Sequence, residues 1–264
     1  MDLKLKDKTA IVTGATAGIG LAIARTLARE GVAVTISGRS QDKLDAARAD
    51  ILAAAPAASV RTVIADVSTA DGAAALIAAQ PDADILVNNL GFYESRPFAE
   101  ISDEEWFRML DVNVMSGVRL SRHYFPRMLE KKWGRVLFIS SETGASTPPD
   151  MVHYGVSKTA QIAVARGMAE LTRGTGVTVN SVLPAATHSE GIVEYLRKTA
   201  PRPGMSDDEI QASYFARYRP TSLIARVIDP EEVAAMVALL ASPLGGATNG
   251  AAVRVEGGAV SSIL

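Results

Sequence analysis

Residues 8–30, KTAIVTGATAGIGLAIARTLARE, decide the fold. Residues 8–13 are short and rich in β-branched side chains, as a strand is. The segment from Leu21 onward repeats apolar residues at helical spacing. Between them runs Gly14-Ala15-Thr16-Ala17-Gly18-Ile19-Gly20. One glycine would serve an ordinary strand-to-helix turn. Three glycines point to a backbone that turns tightly and lets a ligand come close. The helix that follows starts with unpaired N–H groups and the positive end of its dipole, which suits a pyrophosphate. The order of strand, glycine turn and helix is the dinucleotide-binding arrangement, although the spacing is GxxxGxG and not GxGxxG.

The same alternation continues along the chain. Residues 32–38, 59–65, 84–89, 134–141, 176–184 and 251–258 read as further strands. Residues 41–55 and 152–173 read as helices, the first stopped by Pro56. Ser102-Asp103-Glu104-Glu105 is a capping-box signature opening a long helix toward residue 130. Asp229-Pro230-Glu231-Glu232 opens another toward 241, with proline well placed in the first turn. Seven strands alternating with helices imply an α/β, Rossmann-type doubly wound parallel sheet. No linker or repeat interrupts the pattern, so residues 1–264 read as a single domain. In such sheets ligands bind beyond the carboxyl ends of the strands. Gly14, Asp66, Asn88, Ser141 and Pro184 all fall at predicted strand ends.

Tyr154 and Lys158, in HYGVSKTA, are four residues apart and share one helix face. A free phenol has a pKa of about 10 and exchanges protons poorly near neutrality. A neighbouring ammonium stabilises the phenolate and so lowers that pKa. A tyrosine tuned in this way serves as a general acid or base.

With these residues in view, the chain resembles the short-chain dehydrogenases/reductases over almost its whole length. TGATAGIG (13–20) resembles the family's TGxxxGIG, Asp66-Val67 its DV, and Asn88-Asn89-Leu90-Gly91 its NNAG. Asn113, Ser141, Tyr154 and Lys158 match its catalytic Asn-Ser-Tyr-Lys set. The resemblance implies a hydride-transfer oxidoreductase acting on a small-molecule carbonyl or secondary alcohol. Ser141 would hydrogen-bond the substrate oxygen, and Tyr154 would exchange a proton with it. Lys158 would hold the cofactor ribose, and Asn113 would anchor a water that continues the proton path. Cofactor contacts would come from Gly14, Thr16, Ala17, Gly18, Ile19, Gly20, Asp66, Val67, Asn89, Gly91, Tyr154, Lys158, Pro184, Thr187 and Ser189. Two positions depart from the family pattern. Leu90 stands where NNAG has a small residue, and Ala185 follows Pro184 where the family has glycine. The alternative is a catalytically silent cofactor-binding protein on the same fold.

The second strand ends Ser37-Gly38-Arg39-Ser40, without the carboxylate that takes a ribose 2′-hydroxyl. Arg39 offers a planar fork suited to a 2′-phosphate, and Ser40 adds a hydroxyl. The expected cofactor is therefore NADP(H) over NAD(H). Ala17 argues the other way, because many NADP-dependent relatives carry a basic residue there. Residues 189–225 are too long for an ordinary connection and match the family's substrate-binding region. Ile192, Tyr195 and Leu196, and likewise Tyr214, Phe215 and Tyr218, lie at helical spacing and could form a lid. Arg197, Arg202, Arg217 and Arg219 lie in the same stretch.

Composition narrows the alternatives. The 27 basic and 29 acidic residues give a net charge of −2, which is no nucleic-acid footprint. The absence of cysteine removes disulfide and thiol chemistry. His123, His153 and His188 have no metal-ligand spacing, although His153 and His188 adjoin the expected pocket, as does Glu142. No apolar run approaches the ~18 residues of a membrane span, and MDLKLKDK lacks a signal-peptide core. The expectation is a cytoplasmic protein. By family resemblance, helices 103–130 and 152–173 pair across two-fold axes to give a homotetramer.

Overall fold

The computed structural model describes residues 1–263, with residue 190 described without its side chain. The elements run β1 (Thr9–Thr13), α1 (Gly18–Arg29), β2 (Ala33–Gly38), α2 (Gln41–Ala54), β3 (Val60–Ile64), α3 (Ala70–Ala79) and β4 (Ile85–Asn88). Next come α4 (Asp103–Leu110), a π turn (Asp111–Met115), α5 (Ser116–Lys131), β5 (Trp133–Ile139), α6 (Val152–Glu170) and β6 (Gly176–Pro184). The chain closes with α7 (Glu190–Lys198), α8 (Asp207–Tyr218), α9 (Pro230–Ala241) and β7 (Ala252–Val255).

The seven strands form one sheet in the order β3-β2-β1-β4-β5-β6-β7, and every pairing is parallel. The order reverses between β1 and β4, so a crevice opens beyond their carboxyl ends. Alternate strand residues feed opposite faces. Val12, Val87, Leu137 and Val182 pack on one side with Ile23 and Leu27 of α1, Leu44 of α2 and Val237 of α9. Ile11, Leu86, Val136 and Val179 pack on the other with Leu76 of α3, Leu120 and Met128 of α5 and Ala165 of α6. Burial on both faces explains why the inner strands β1, β2 and β4 are largely apolar, while the edge strands β3 and β7 each carry an arginine. Each fully buried Leu or Ile contributes about 1.5–3 kcal/mol.

The predicted caps form. Glu105 N–H donates to Ser102 Oγ at 3.3 Å, and Ser102 N–H donates to Glu105 Oε2 at 2.8 Å. Asp229 N–H donates to Glu232 Oε2 at 2.9 Å.

Beyond shifts of one to three residues at several ends, such as α6 stopping at Glu170 and not 173, four features differ from the sequence reading. Helix α3 was not foreseen, because its mostly small apolar residues carry little periodicity; Thr69 caps it by accepting from Gly72 N–H. The long helix from Ser102 is interrupted by the π turn that carries Asn113. Strand β5 ends at Ile139, which leaves Ser140 and Ser141 beyond it. The last strand stops at Val255, since Gly257 and Gly258 turn the chain with φ of +64° and +75°.

Candidate active site

The glycine turn is locked to the strand beside it. Gly14 and Gly18 adopt φ of +61° and +54°, a region that strongly favours glycine. A Cβ on Gly20 would lie 2.4 Å from Asn89 Nδ2 and 2.5 Å from the Gly14 carbonyl. Asn89 Nδ2 donates to the Thr13 and Gly14 carbonyls at 2.8 and 3.1 Å. Thr13 Oγ1 accepts from the N–H groups of Asn89 and Leu90, each at 3.0 Å. No side chain caps α1, so its first N–H groups face the crevice available to an anion.

A cavity of about 1190 Å³ runs from this turn across the strand ends. It is lined by Gly14, Thr16, Ala17, Ile19, Gly20, Arg39, Asp66, Val67, Asn89, Gly91, Ser141, Tyr154, Lys158, Pro184, Thr187 and Ser189. Three anticipated residues are not on its wall. Gly18 shapes the turn, Ser40 is the N-cap residue of α2, and Asn113 is fully buried behind the wall. The Arg39 side chain is 81 % exposed and stands 4.0 Å from Asp66 Oδ2. Ser189 caps α7, where its Oγ accepts from Ile192 N–H at 3.2 Å. Ala185 does not adopt a positive φ, so its departure from the family glycine carries no backbone strain; its methyl only adds to the cavity wall. Leu90 also lines the cavity.

The polar groups of the expected reaction centre converge deeper in. Ser141 Oγ donates to Glu142 Oε2 at 2.6 Å and accepts from Thr143 N–H at 3.2 Å. The Ser140 hydroxyl donates to the Lys158 carbonyl at 2.8 Å. Lys158 Nζ lies 5.6 Å from the centroid of the Tyr154 ring. Tyr93 meets the same ring edge-on, with centroids 6.3 Å apart. Asn113 donates to the Phe92 carbonyl and Ser157 Oγ, each at 3.0 Å, and its Oδ1 accepts from Phe92 N–H at 2.9 Å.

The electrostatics correct one expectation. Burial and the Glu142 carboxylate push the Tyr154 phenol well above its ordinary pKa, with the neighbouring Ser141 hydroxyl opposing them. The expected lowering by Lys158 does not outweigh these effects. Burial pulls Lys158 down to about 7 while Glu142 opposes the fall. Burial raises Glu142, against its hydrogen bond from Ser141 and the charge of Arg219.

Within residues 189–225, Ile192, Tyr195, Tyr214 and Arg219 face the cavity. Leu196 and Phe215 instead join Ile192, Ile210, Tyr214 and Val227 in a separate apolar cluster, and Tyr218 is 39 % exposed. Arg197 pairs with Asp207, Arg202 with Glu209, and Arg217 lies over the Tyr218 ring. His188 lines the cavity. His153 is buried edge-on against Trp106, and burial lowers its pKa, so it stands as a neutral core residue. The sequence reading missed Gln161, buried three residues after Lys158 on the same helix face; that spacing was its only signal. No candidate metal cluster of His, Cys, Asp and Glu occurs among the described residues. Nor is any described helix long and apolar enough to cross a membrane.

The comparisons agree with this architecture. Two proteins of Bacillus subtilis (strain 168), named uncharacterized oxidoreductases YvrD and YvaG, are 47 % identical over 266 residues and 46 % identical over 263. Each alignment covers 100 % of both chains. The crystal structure of L-sorbose reductase from Gluconobacter frateurii, complexed with NADPH and L-sorbose, superposes with a TM-score of 0.92 at 27 % identity, covering 100 % of both chains. The sequence model described as short chain dehydrogenase matches residues 8–199. With that match spanning most of the chain and the glycine turn, parallel sheet and Ser-Tyr-Lys cluster in place, this protein belongs to the short chain dehydrogenase family, whose members are oxidoreductases.

Proposed function

We propose that this chain is an NADP(H)-preferring enzyme that interconverts a carbonyl compound and its secondary alcohol, with Tyr154 exchanging the proton. The observation that carries the reading is the convergence of Ser141, Tyr154 and Lys158 on one cavity that continues to the glycine turn and Arg39. The residues present suit a dinucleotide: an uncapped helix N-terminus for the pyrophosphate, and an exposed guanidinium at the end of β2 for a 2′-phosphate. The nicotinamide, when bound, supplies or accepts the hydride.

The chain's own residues handle the oxygen of the substrate. Tyr154 is protonated at neutral pH, so it can give its proton to a carbonyl oxygen on reduction and take it back on oxidation of the alcohol. Ser141 must release Glu142 before it can donate to that oxygen. Glu142, whose pKa burial raises, holds the Ser141 proton until substrate binds. Lys158 supplies a donor toward the cofactor ribose. The NADPH and L-sorbose bound by the Gluconobacter reductase support both the cofactor and the substrate class.

The test is loss of NADPH absorbance with a panel of ketones and aldehydes. Tyr154→Phe is expected to lower kcat by about 10²–10⁴-fold, the usual contribution of a positioned acid or base. NADPH binding, followed by fluorescence, should stay near wild type. Wild-type turnover in that variant would remove Tyr154 from the mechanism. In the same assay, kcat/KM with NADPH is expected to exceed that with NADH, and Arg39→Ala to erase the difference. A preference that survives in Arg39→Ala rules out this arginine as the selector.

A further inference from the structure

Gln161 lies on the face of α6 that carries Lys158 and is 1 % exposed. Both ends of its amide are occupied. Nε2 donates to the Asn113 main-chain carbonyl at 2.6 Å, and Oε1 accepts from Lys158 Nζ at 3.1 Å. Their chemistry fixes this orientation, since a carbonyl only accepts and an ammonium only donates. Lys158 Nζ also donates to the Ile139 carbonyl at 3.0 Å. Two of the three ammonium protons are thereby placed, and one is left for the cavity. The titratable groups facing Lys158 are Glu142, from the turn after β5, and Tyr154 on its own helix. Its other polar partners, Gln161 and the Ile139 carbonyl, are neutral.

We propose that Gln161 is a positioning residue of the Tyr154–Lys158 pair: its side chain ties the lysine ammonium to the Asn113 carbonyl and fills the link that the family resemblance gives to a water. The inference rests on Tyr154 and Lys158 forming the proton-exchanging pair. It has two consequences. A buried ammonium deprived of an acceptor loses a charge-assisted hydrogen bond, so Gln161 helps to hold Lys158 charged. In addition, a carboxamide does not relay protons as water does. Both protons of Gln161 sit on the nitrogen facing Asn113, and its oxygen only accepts. The inner end of the path is therefore closed, and Tyr154 exchanges its proton with solvent from the cavity side.

The ionisation of Lys158 can be followed by NMR of the lysine ε-carbons in the cofactor-free protein, assigned with Lys158→Met. In Gln161→Leu the midpoint is expected to fall by about one pH unit or more, the equivalent of one lost charged hydrogen bond. In Gln161→Glu, which keeps the length and adds a carboxyl, it is expected to rise. A midpoint unchanged in either variant overturns the proposal. Turnover is read with NADPH and the most active compound of the carbonyl panel. Gln161→Leu should lower kcat by about tenfold or more while KM for NADPH moves less. Gln161→Ala, which leaves a water-sized gap, should recover part of that loss; an alanine variant no faster than the leucine variant counts against the bridge. Full turnover in Tyr154→Phe would sink the underlying mechanism and leave the NMR result standing, so the two failures are distinguishable.

Discussion

At Lys158 an ammonium sits in the interior, 4 % exposed, with its pKa drawn from 10.5 to about 7 by burial. A base whose folded pKa is depressed stabilises the fold only above its unfolded pKa, and that contribution is lost as pH falls through the folded value. The window here runs from 10.5 down to about 7. The stability advantage of wild type over Lys158→Met is therefore expected to shrink as pH is lowered from about 10 to about 6, by an amount of order a few kcal/mol. Thermal unfolding of both proteins across that range checks it, and a constant difference would mean that the lysine is not depressed. Glu142 has the opposite dependence, its raised pKa costing stability as pH rises, and because it interacts with Lys158 the comparison is made in a Glu142→Gln background. The pairing of Tyr154 with Lys158 was legible because spacing on one helix face carries it, and Ser141 was placed beside them by the family resemblance. The upward push on Tyr154 was not, because burial and the Glu142 carboxylate exist only in the folded site. Gln161 was missed for the same reason: its meaning depends on Asn113, 48 residues away.

The glycine turn shows how one element fixes another. The Asn89 side chain holds the Thr13 and Gly14 carbonyls, and Gly20 lies so close that a methyl would meet Asn89 Nδ2 at 2.4 Å and Gly14 O at 2.5 Å. Backbone atoms cannot yield there as a flexible side-chain end could. Gly20→Ala is expected to cost about 1–3 kcal/mol, the usual range for overpacking. It should also displace the turn from the start of α1 and weaken NADPH binding. Urea unfolding and fluorescence titration check both effects, and a variant that keeps wild-type affinity would show that the clamp does not shape the cofactor site. At this scale the strands and capped helices were legible, since β-branched runs and capping boxes are local signals. Helix α3 and the π turn were not. The first is a mostly apolar run with little amphipathic contrast, and the second changes only the hydrogen-bond step within a helix already expected.

Across the whole molecule, the two sheet-facing cores are distinct from the cluster formed by Ile192, Leu196, Ile210, Tyr214, Phe215 and Val227. Helices α7 and α8 therefore carry an apolar core of their own, while Ile192, Tyr195, Tyr214 and Arg219 turn to the cavity. The far end of this segment is tied down, because the N–H groups of Leu223 and Ile224 both donate to the Gly257 carbonyl, at 2.9 and 3.1 Å. Ala225, next in the chain, adopts φ of +48°, which L-residues rarely hold. A unit with its own core and a strained exit suits hinged movement over the cavity, and we propose that residues 189–225 close on ligand and exclude water. Ile192, Leu196, Ile210, Tyr214 and Phe215 would move together against Val227, which lies past Ala225, and the ordering would come from contacts of the cavity-facing residues with the bound molecules. Limited proteolysis is expected to cut within this segment first in the free protein. NADPH together with an active carbonyl compound should slow that cleavage, and more strongly than NADPH alone, because the substrate region is where Tyr195, Tyr214 and Arg219 lie. Equal cleavage rates with and without both ligands would show that the segment is a fixed wall rather than a lid.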